Sequence, residues 1–568
     1  MNNMLGILLR FREGTIAFAG DIKKMYHSVH LSEVDQHMHR FLWRNLDINR
    51  TMDTYIMTRV SFGDKPAGTI AAVALQKTAK EYQDKYTMAA NTILKNTYVD
   101  DILESLTPKQ PDTSRMNRIT DEINEILESG GFSIKEWISN SSTITESTTC
   151  PTKEISIETS KVLGMYWNPV SDKFEFKVTI NFSPKKRKVR TGPNLTLEQL
   201  NMSNAAITKR IVLSQINGIY DPFGLLVPFT LRAKILMQDL CKDAIKLGWD
   251  EPLPPAEKLK WIQYFSEMFD IEKLSFKRCV RPAAAEGDPM LVMFSDASED
   301  AYGACAYVRW RLEDQSFSSS LLCAKGRVAP IKRVTVPRLE LCAAVIATRL
   351  HVFVKKECRF EFSKVLFIVD SKIVQAMIQK DSYGFKTYAS VRVGEIQSAT
   401  KKECWAWTES EQNIADWTTR MRLPNELDEN SDWQHGPKWL QLDEREWPIS
   451  YHASTDELPD VQQVLLTKIT EADQDSSTSC IDINRFSSYT QLLRVTARVL
   501  AAFKKLPIAS LSHVANDISL DEIKDAERYW IKEAQSRYTD KDLSQRFQRL
   551  GARRNADGVI IVGDRLES

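Results

Sequence analysis

The stretch Thr97-Tyr98-Val99-Asp100-Asp101-Ile102 sets two adjacent carboxylates in a turn, between the β-prone runs Asn91–Thr97 and Ile102-Leu103. Adjacent acids repel, so a hairpin tip that carries them is a natural seat for a cation. Taken alone, such a pair is more often merely solvated. The neighbours decide between the two readings. Upstream, Ile16-Ala17-Phe18-Ala19-Gly20-Asp21 is an apolar run that ends in a third acid, and Tyr26 follows five residues later. Carboxylates brought together from two strands suit a pair of hard divalent ions, which lower the pKa of a hydroxyl and steady a phosphate leaving group.

Asp21 with Tyr26 resembles motif A of reverse transcriptases, and Tyr98-Val99-Asp100-Asp101 resembles their motif C. The resemblance implies that Asp21 and Asp100 bind both metals with Asp101 beside them, and that Tyr98 lies at the substrate. It also implies that the Tyr26 ring blocks a ribose 2′-hydroxyl and so selects deoxynucleotides, although plain core packing is the alternative for this residue. Val60-Ser61-Phe62-Gly63 through Gly68, followed by apolar Thr69–Leu75, resembles motif B, a Gly63 loop that enters a helix under template and nucleotide. Many relatives carry Ser-Pro after the glycine, where this chain has Lys65-Pro66-Ala67. Gly130-Gly131-Phe132 through Trp137 resembles motif D, which makes Lys135 the proton donor to pyrophosphate, one place earlier than in relatives with Lys directly before Trp. Leu163-Gly164-Met165-Tyr166-Trp167 resembles motif E, implying a primer grip through Met165 and Trp167. Five motifs in this order predict a reverse transcriptase palm.

With 568 residues, three or four domains are expected, each with its own core. Hydrophobic content of 43% and charged content of 27% are ordinary globular values. A net charge of +1 gives no global basic signature, so any nucleic-acid surface has to be local. Nine scattered cysteines without a Cys-x-x-Cys pair argue for a reduced compartment and against a zinc module. No apolar run approaches a membrane span.

Residues 1–12 read as an amphipathic helix that leads straight into motif A, without the upstream fingers subdomain of a full reverse transcriptase. Thr113–Ser129 reads as a helix closed by Gly130, Ser139–Cys150 as a loop, and Lys173–Ile180 as a strand. The basic run Pro184–Arg190 reads either as a nuclear import signal or as a solvated loop or phosphate contact, the latter preferred. Thr208–Leu213, then Tyr220-Asp221-Pro222-Phe223-Gly224 and a helix towards Trp249, resembles the thumb and connection of BEL/Pao-type long-terminal-repeat retrotransposon Pol polyproteins. That region is often described as a Pao retrotransposon peptidase. The aspartic-protease triplets Asp-Thr-Gly and Asp-Ser-Gly are both missing, so the residues read as a helical domain.

A second acidic set follows. Leu291–Phe294 leads to Asp296, Tyr302–Val308 and Ser320–Ala324 read as two further strands, and Pro337–Leu350 reads as a buried helix with Glu340. Val365–Val369 is a strand that ends in Asp370, and Asn413-Ile414-Ala415-Asp416 opens a turn or helix. A lone glutamate on a buried helix is costly unless it is paired or metal-bound. The order Asp296, Glu340, Asp370, Asp416 resembles the ribonuclease H fold and its four-carboxylate site. The resemblance implies two Mg²⁺ ions per active site, with Mn²⁺ as an alternative, held by Asp21, Asp100 and Asp101 in the palm and by these four acids in the nuclease. No histidine stands near Asp416.

Trp433–Leu440 and Trp447-Pro448 again resemble BEL/Pao sequence. Thr470–Cys480 reads as a linker, Phe486–Lys505 and Leu520–Ser536 as helices, and Gly558–Arg565 as a hairpin, just short of the integrase that follows in relatives. The expected fold is therefore an α+β and α/β multidomain chain: palm without fingers (1–175), helical thumb and connection (176–285), ribonuclease H-like α/β domain (286–425) and a helical region (426–568). The expected partners are RNA template, DNA primer, RNA–DNA hybrid, dNTPs and other Pol segments (integrase, fingers), with no membrane. The expected setting is a cytoplasmic virus-like particle, with a nuclear stage if Pro184–Arg190 is an import signal. The competing readings are a nucleic-acid-binding remnant with impaired catalysis and an inert retroelement relic.

Overall fold

A computed structural model of the chain describes residues 2–107, 114–141, 160–183, 185–186, 189–190, 192–242, 247–452, 458–461, 481, 483–486, 488–504, 518–547 and 550–562. The side chains of 184–190, and most of the expected Ser139–Cys150 loop and Thr470–Cys480 linker, lie outside these residues. The chain divides into two compact units, Met1–Gln463 and Val464–Ser568.

The first unit opens with helix α1 (Met4–Phe11) and strand β1 (Ile16–Ile22). An exposed hairpin, β2 (Arg40–Trp43) and β3 (Asp53–Ile56), precedes helices α2 (Ala67–Glu81) and α3 (Thr87–Asn96). The run 91–96, read from sequence as β-prone, is the end of α3, and only Thr97–Tyr98 forms the short strand β4 before β5 (Asp101–Leu106). Helix α4 (Ser114–Ser129) and β6 (Ile134–Ser139) complete the palm, whose sheet runs β4-β5-β1-β6. Ile119, Ile123, Ile126 and Leu127 of α4 are buried against Phe18, Ile102 and Trp137 of that sheet, a core of its own.

A second sheet combines β7 (Ser160–Val162), β8 (Met165–Asn168) and β9 (Lys173–Glu175). The strand expected over Lys173–Ile180 ends at Glu175. Past the small hairpin β10 (Lys185–Lys186) and β11 (Val189–Arg190) come helices α5 (Lys209–Ile216), α6 (Val227–Leu240) and α7 (Pro255–Met268), then β12 (Ser275–Lys277), which pairs with β9. The third sheet has six strands in the order β15-β14-β13-β16-β17-β18. These are β13 (Ala285–Ala297), β14 (Ala301–Leu312), β15 (Phe317–Val328), β16 (Lys364–Val369), β17 (Trp405–Thr408) and β18 (Ile449–Ser450), with helix α8 (Val336–Glu357) laid across β13 and β14.

Separate cores are found on one face of the palm sheet and in the second unit. One continuous cluster joins Ile7, Leu8, Leu9 and Phe11 of α1 to the second sheet, to α6 and α7, and to the six-stranded sheet as far as Trp447. The expected thumb segment is thus packed against the six-stranded sheet: the Ala324 amide on the β15 edge donates to the Phe223 carbonyl at 2.7 Å. Nor is α1 amphipathic towards solvent, since Gly6 through Phe11 are all buried. Burying each large apolar side chain there stabilises the fold by about 1.5–3 kcal/mol. Its one charge is fully engaged: Arg10 donates to Asn96 Oδ1 (2.7 Å), Glu357 Oε2 (2.9 Å) and the Lys95 carbonyl (2.8 Å). A Cβ on Gly6 would lie 2.0 Å from Glu357 Oε2, so the glutamate side chain would have to shift.

In the second unit, Tyr489–Lys504 and Leu520–Gln535 are helices, packed through Leu493, Ala497 and Ala526. A capping box of Ser519 and Glu522 starts the latter. The hairpin strands are Arg553–Arg554 and Ile560–Ile561, so its first strand precedes the expected segment. Among the described residues no helix is long and apolar enough to cross a membrane.

Candidate active sites

Antiparallel pairing of β1 with β5 sets Asp21 directly opposite Asp101, and the Ile22 amide donates to the Asp100 carbonyl at 2.8 Å. The turn at Val99-Asp100 has only two residues, and Val99 holds φ at 56°. That conformation suits glycine in tight hairpins and strains a β-branched residue, by about 1–3 kcal/mol. Burial, helped by the charges of Asp100 and Asp21, pushes the Asp101 carboxyl up to about 7. Asp21 is raised by burial and then by Asp100, while the nearby Lys135 ammonium opposes the shift. The structure therefore brings together Asp21, Asp100, Asp101 and Lys135. Lys135 also lies 3.8 Å from Glu136.

Tyr26 sits in a 3-10 turn after β1, its ring centroid 4.9 Å from that of Phe62. A Cβ on Gly68 would stand 3.6 Å from its hydroxyl. Motifs A and B thus meet at this ring. Gly63 has φ of 101° in open space, a turn that demands glycine. Tyr98, half-buried, is the strand residue just before the acidic tip.

Met165 and Trp167, expected at the primer grip, are buried. Alternation along β8 points both inward, at 1% and 0% exposure, with Trp167 edge-on to Phe11 and its Nε1 donating to Asp172 Oδ1 at 3.0 Å. The outward residue of this hairpin is Tyr166, with the Lys161 and Lys177 ammoniums 5.6 and 5.0 Å from its ring centroid.

The second site is built by parallel pairing. Strands β13 and β16 run in register, Ser295 opposite Val369, so Asp296 and Asp370 emerge side by side at their carboxyl ends. Pro337 sits in the first turn of α8 and Glu340 follows it, over the same spot. Oxygens of Asp296, Glu340 and Asp370 lie within 4.8 Å of one another, a group that could hold a metal ion. Asp370 Oδ1 is buried and has no hydrogen-bond partner among the described residues. Burial, then the charges of Asp370 and Asp296, push the Glu340 carboxyl up to about 10. Burial likewise raises Asp296 and Asp370. Three carboxyls so disposed resist ionising together, and a divalent cation removes that conflict.

Asp416 lies outside the 4.8 Å group, yet its charge acts on Asp296 and the charge of Asp370 acts on it. It lies in the 3-10 turn Ile414–Thr418 and forms an ion pair with Arg420 Nε at 2.6 Å. Two supporting residues escaped sequence reading. The Thr419 hydroxyl donates to Asp296 Oδ2, and Asn413 Nδ2 donates to the Ser295 carbonyl at 3.0 Å, which ties the Asp416 turn to β13. Their only trace in the sequence is proximity to Asp416.

Residues 6–137 match the reverse transcriptase (RNA-dependent DNA polymerase) family, and residues 208–371 match the Pao retrotransposon-like RNaseH-like domain. These two matches support a Pao-type retrotransposon Pol fragment. The second match runs from Thr208, just before α5, to Ser371, just past Asp370, so the region expected under a peptidase description matches an RNaseH-like domain instead. No curated protein matches it. Among solved structures, the foamy viral protease-reverse transcriptase in complex with RNA/DNA hybrid aligns at 12% identity and TM-score 0.42, covering 72% of this chain and 46% of that one. The same foamy viral enzyme, as dRH in complex with double-stranded DNA, aligns at 10% identity and TM-score 0.42, covering 72% and 60%. The chain thus spans about half of the length of these structures. Their families are generally dependent on divalent metals, and its acidic triad is a candidate site for one.

Proposed function

We propose that the chain is an enzyme with two sites for nucleic acid. The first is an RNA-directed DNA polymerase that uses Asp21, Asp100 and Asp101. The second is a ribonuclease H that uses Asp296, Glu340, Asp370 and Asp416 on the RNA of an RNA–DNA hybrid. The observation that carries this reading is the triad whose oxygens converge within 4.8 Å, with Asp370 Oδ1 left unpartnered. All the donors are carboxylate oxygens, which suits Mg²⁺, or Mn²⁺ in its place. Two such ions per site would lower the pKa of the attacking oxygen and neutralise the charge that develops on the leaving one.

The chain's own residues do the positioning. Thr419 fixes the rotamer of Asp296, and Asn413 locks the Asp416 turn against β13. In the palm, the Tyr26 ring, backed by Phe62, forms the wall against a ribose 2′-hydroxyl, and Lys135 is the proton donor to pyrophosphate. RNA template, DNA primer and dNTPs are the proposed substrates, with other Pol segments as partners. The cytoplasm, within a virus-like particle, is the proposed setting. Residues 184–190 are a solvated loop or phosphate contact in the preferred reading, and loss of nuclear accumulation in Lys185→Ala/Lys186→Ala would make them an import signal instead.

The deciding experiment is cleavage of a labelled RNA–DNA hybrid with Mg²⁺, run beside primer extension. Cleavage that is abolished in Asp296→Asn, and extension that is abolished in Asp100→Asn, are expected. Folded protein without cleavage would overturn the nuclease assignment, and cleavage without extension would overturn the polymerase assignment alone.

A further inference from the structure

Of the four acids in the nuclease set, Asp416 alone has its oxygens outside the 4.8 Å group, and it already has a cation. Arg420 stands one turn further on. Its amide donates to the Asp416 carbonyl at 2.8 Å, and its Nε lies 2.6 Å from Asp416 Oδ1. Among the described residues, Asp416 has no other ion-pair partner and the Arg420 guanidinium pairs with no other acid.

The backbone of this turn is fixed beside the triad. The Thr419 hydroxyl that donates to Asp296 Oδ2 also lies 3.0 Å from the Asp416 carbonyl oxygen. What remains adjustable is the Asp416 side chain, and Arg420 holds it. The carboxylate is 19% exposed and the arginine arm 68%, so the cation reaches in from solvent. A cleft of about 700 Å³ opens here, with Arg420, Arg422 and Lys438 on its wall. Ser410 and Asn413 line it too and act on the Asp370 carboxyl, which brings the cleft up to the triad. Arg422 is otherwise engaged, paired with Glu426 at 3.0 Å and lying over the Trp417 ring at 4.6 Å.

A divalent ion approaching Asp416 meets a repelling guanidinium and a carboxylate oxygen already in use. The pair itself is weak, because water screens it and a long side chain loses freedom in holding it. A phosphodiester offers the same guanidinium two oxygens that match its fork, and so competes well for it.

We propose that Arg420 is a positioning residue, which withholds Asp416 from cation binding until a substrate phosphate draws its guanidinium away. In the free chain the nuclease acids then hold one divalent ion tightly and a second weakly. Substrate opens the second position by taking Arg420. The inference rests on the nuclease reading proposed above. Cation binding can be counted without cleavage, so the two can fail separately.

The test counts Mn²⁺ on the full chain by electron paramagnetic resonance, without nucleic acid. Asp21→Asn/Asp100→Asn/Asp101→Asn silences the palm in every sample. The parent should bind one ion tightly and a second weakly. Arg420→Gln should tighten the second by about fivefold or more, the upper worth of an exposed ion pair, and leave the first unchanged. Arg420→Lys, which keeps a cation, should restore the weak second ion. In cleavage with the palm intact, Arg420→Gln should lower the Mg²⁺ needed for half-maximal rate. It should also raise KM for hybrid about tenfold, through loss of one charged hydrogen bond to phosphate. A tightened second ion in protein that never cleaves hybrid would leave the role of Arg420 standing and remove the nuclease reading. Cleavage together with Mn²⁺ binding that Arg420→Gln does not alter would overturn the inference alone. So would two equally tight ions in the parent, or loss of the first ion in Arg420→Gln, which would make the arginine a prop of the turn.

Discussion

Arg278 offers the sharpest perturbation of how the first unit is held together. It is fully buried, with Nε and Nη2 donating to Asp172 at 2.6 and 2.8 Å, Nη1 to the Phe11 carbonyl and Nη2 to the Thr15 carbonyl at 3.2 Å. One guanidinium therefore joins the turn before β1 to the turn before β9. Arg278→Met removes these bonds and leaves a carboxylate and two carbonyls short of donors. Breaking a buried pair by removing one partner costs about 3–5 kcal/mol. Asp172 keeps Trp167 Nε1 and is 24% exposed at its side chain, so the lower end, about 3 kcal/mol, is expected. Arg278→Lys should recover little, since an ammonium cannot span the fork. Asp172→Asn tolerates the left-handed φ of 51° at that position and completes a double-mutant cycle. The assay is urea unfolding followed by tryptophan fluorescence, with Trp167 as the nearest reporter. A loss below about 1 kcal/mol, or a lysine variant as stable as the parent, would refute the view that this fork closes the junction.

Three further outcomes are expected. Glu340 has a folded pKa near 10, raised from an ordinary 4.5, so it favours the metal-free fold fully below pH 4.5 and loses that contribution as pH climbs towards 10. In EDTA the melting temperature should fall from pH 5 to pH 9, Glu340→Gln should flatten the decline, and an unchanged slope would refute the assignment. A Cβ at Gly303 would lie 2.5 Å from Thr418 Oγ1 and 2.9 Å from the Lys325 carbonyl, so Gly303→Ala should shift the turn that carries Thr419. Single-turnover hybrid cleavage should drop about ten- to a hundredfold, and an unaltered rate would contradict this. Val99→Gly relieves strain at the acidic tip and should leave thermal stability equal or higher while slowing primer extension. A lower melting temperature would show that the valine is not strained.

Asp21, Asp100, Asp101, Asp296 and Asp370 were legible because each ends an apolar run or sits where a strand must turn, and Glu340 because it is a charge on an apolar helix. Parity was not. A four-residue strand such as β8 fits either face, and only packing of Trp167 against Phe11 decided that Met165 points inward. The burial of α1 was equally hidden, since its partners Asn96 and Glu357 are far away in sequence and an arginine normally marks a wet face. Thr419 was overlooked for a related reason: a hydroxyl gains meaning only once Asp296 is known to stand beside it.

The core that runs from α1 into the nuclease sheet has one further consequence. Among the described residues, continuous packing joins the strand that bears Asp21 to the strand that bears Asp296, so the molecule behaves as a ruler. If both sites work on one duplex, the number of base pairs between a growing 3′ end and the cut behind it is set by side-chain packing rather than by chance encounters. RNA fragments left during synthesis should then cluster at one characteristic length.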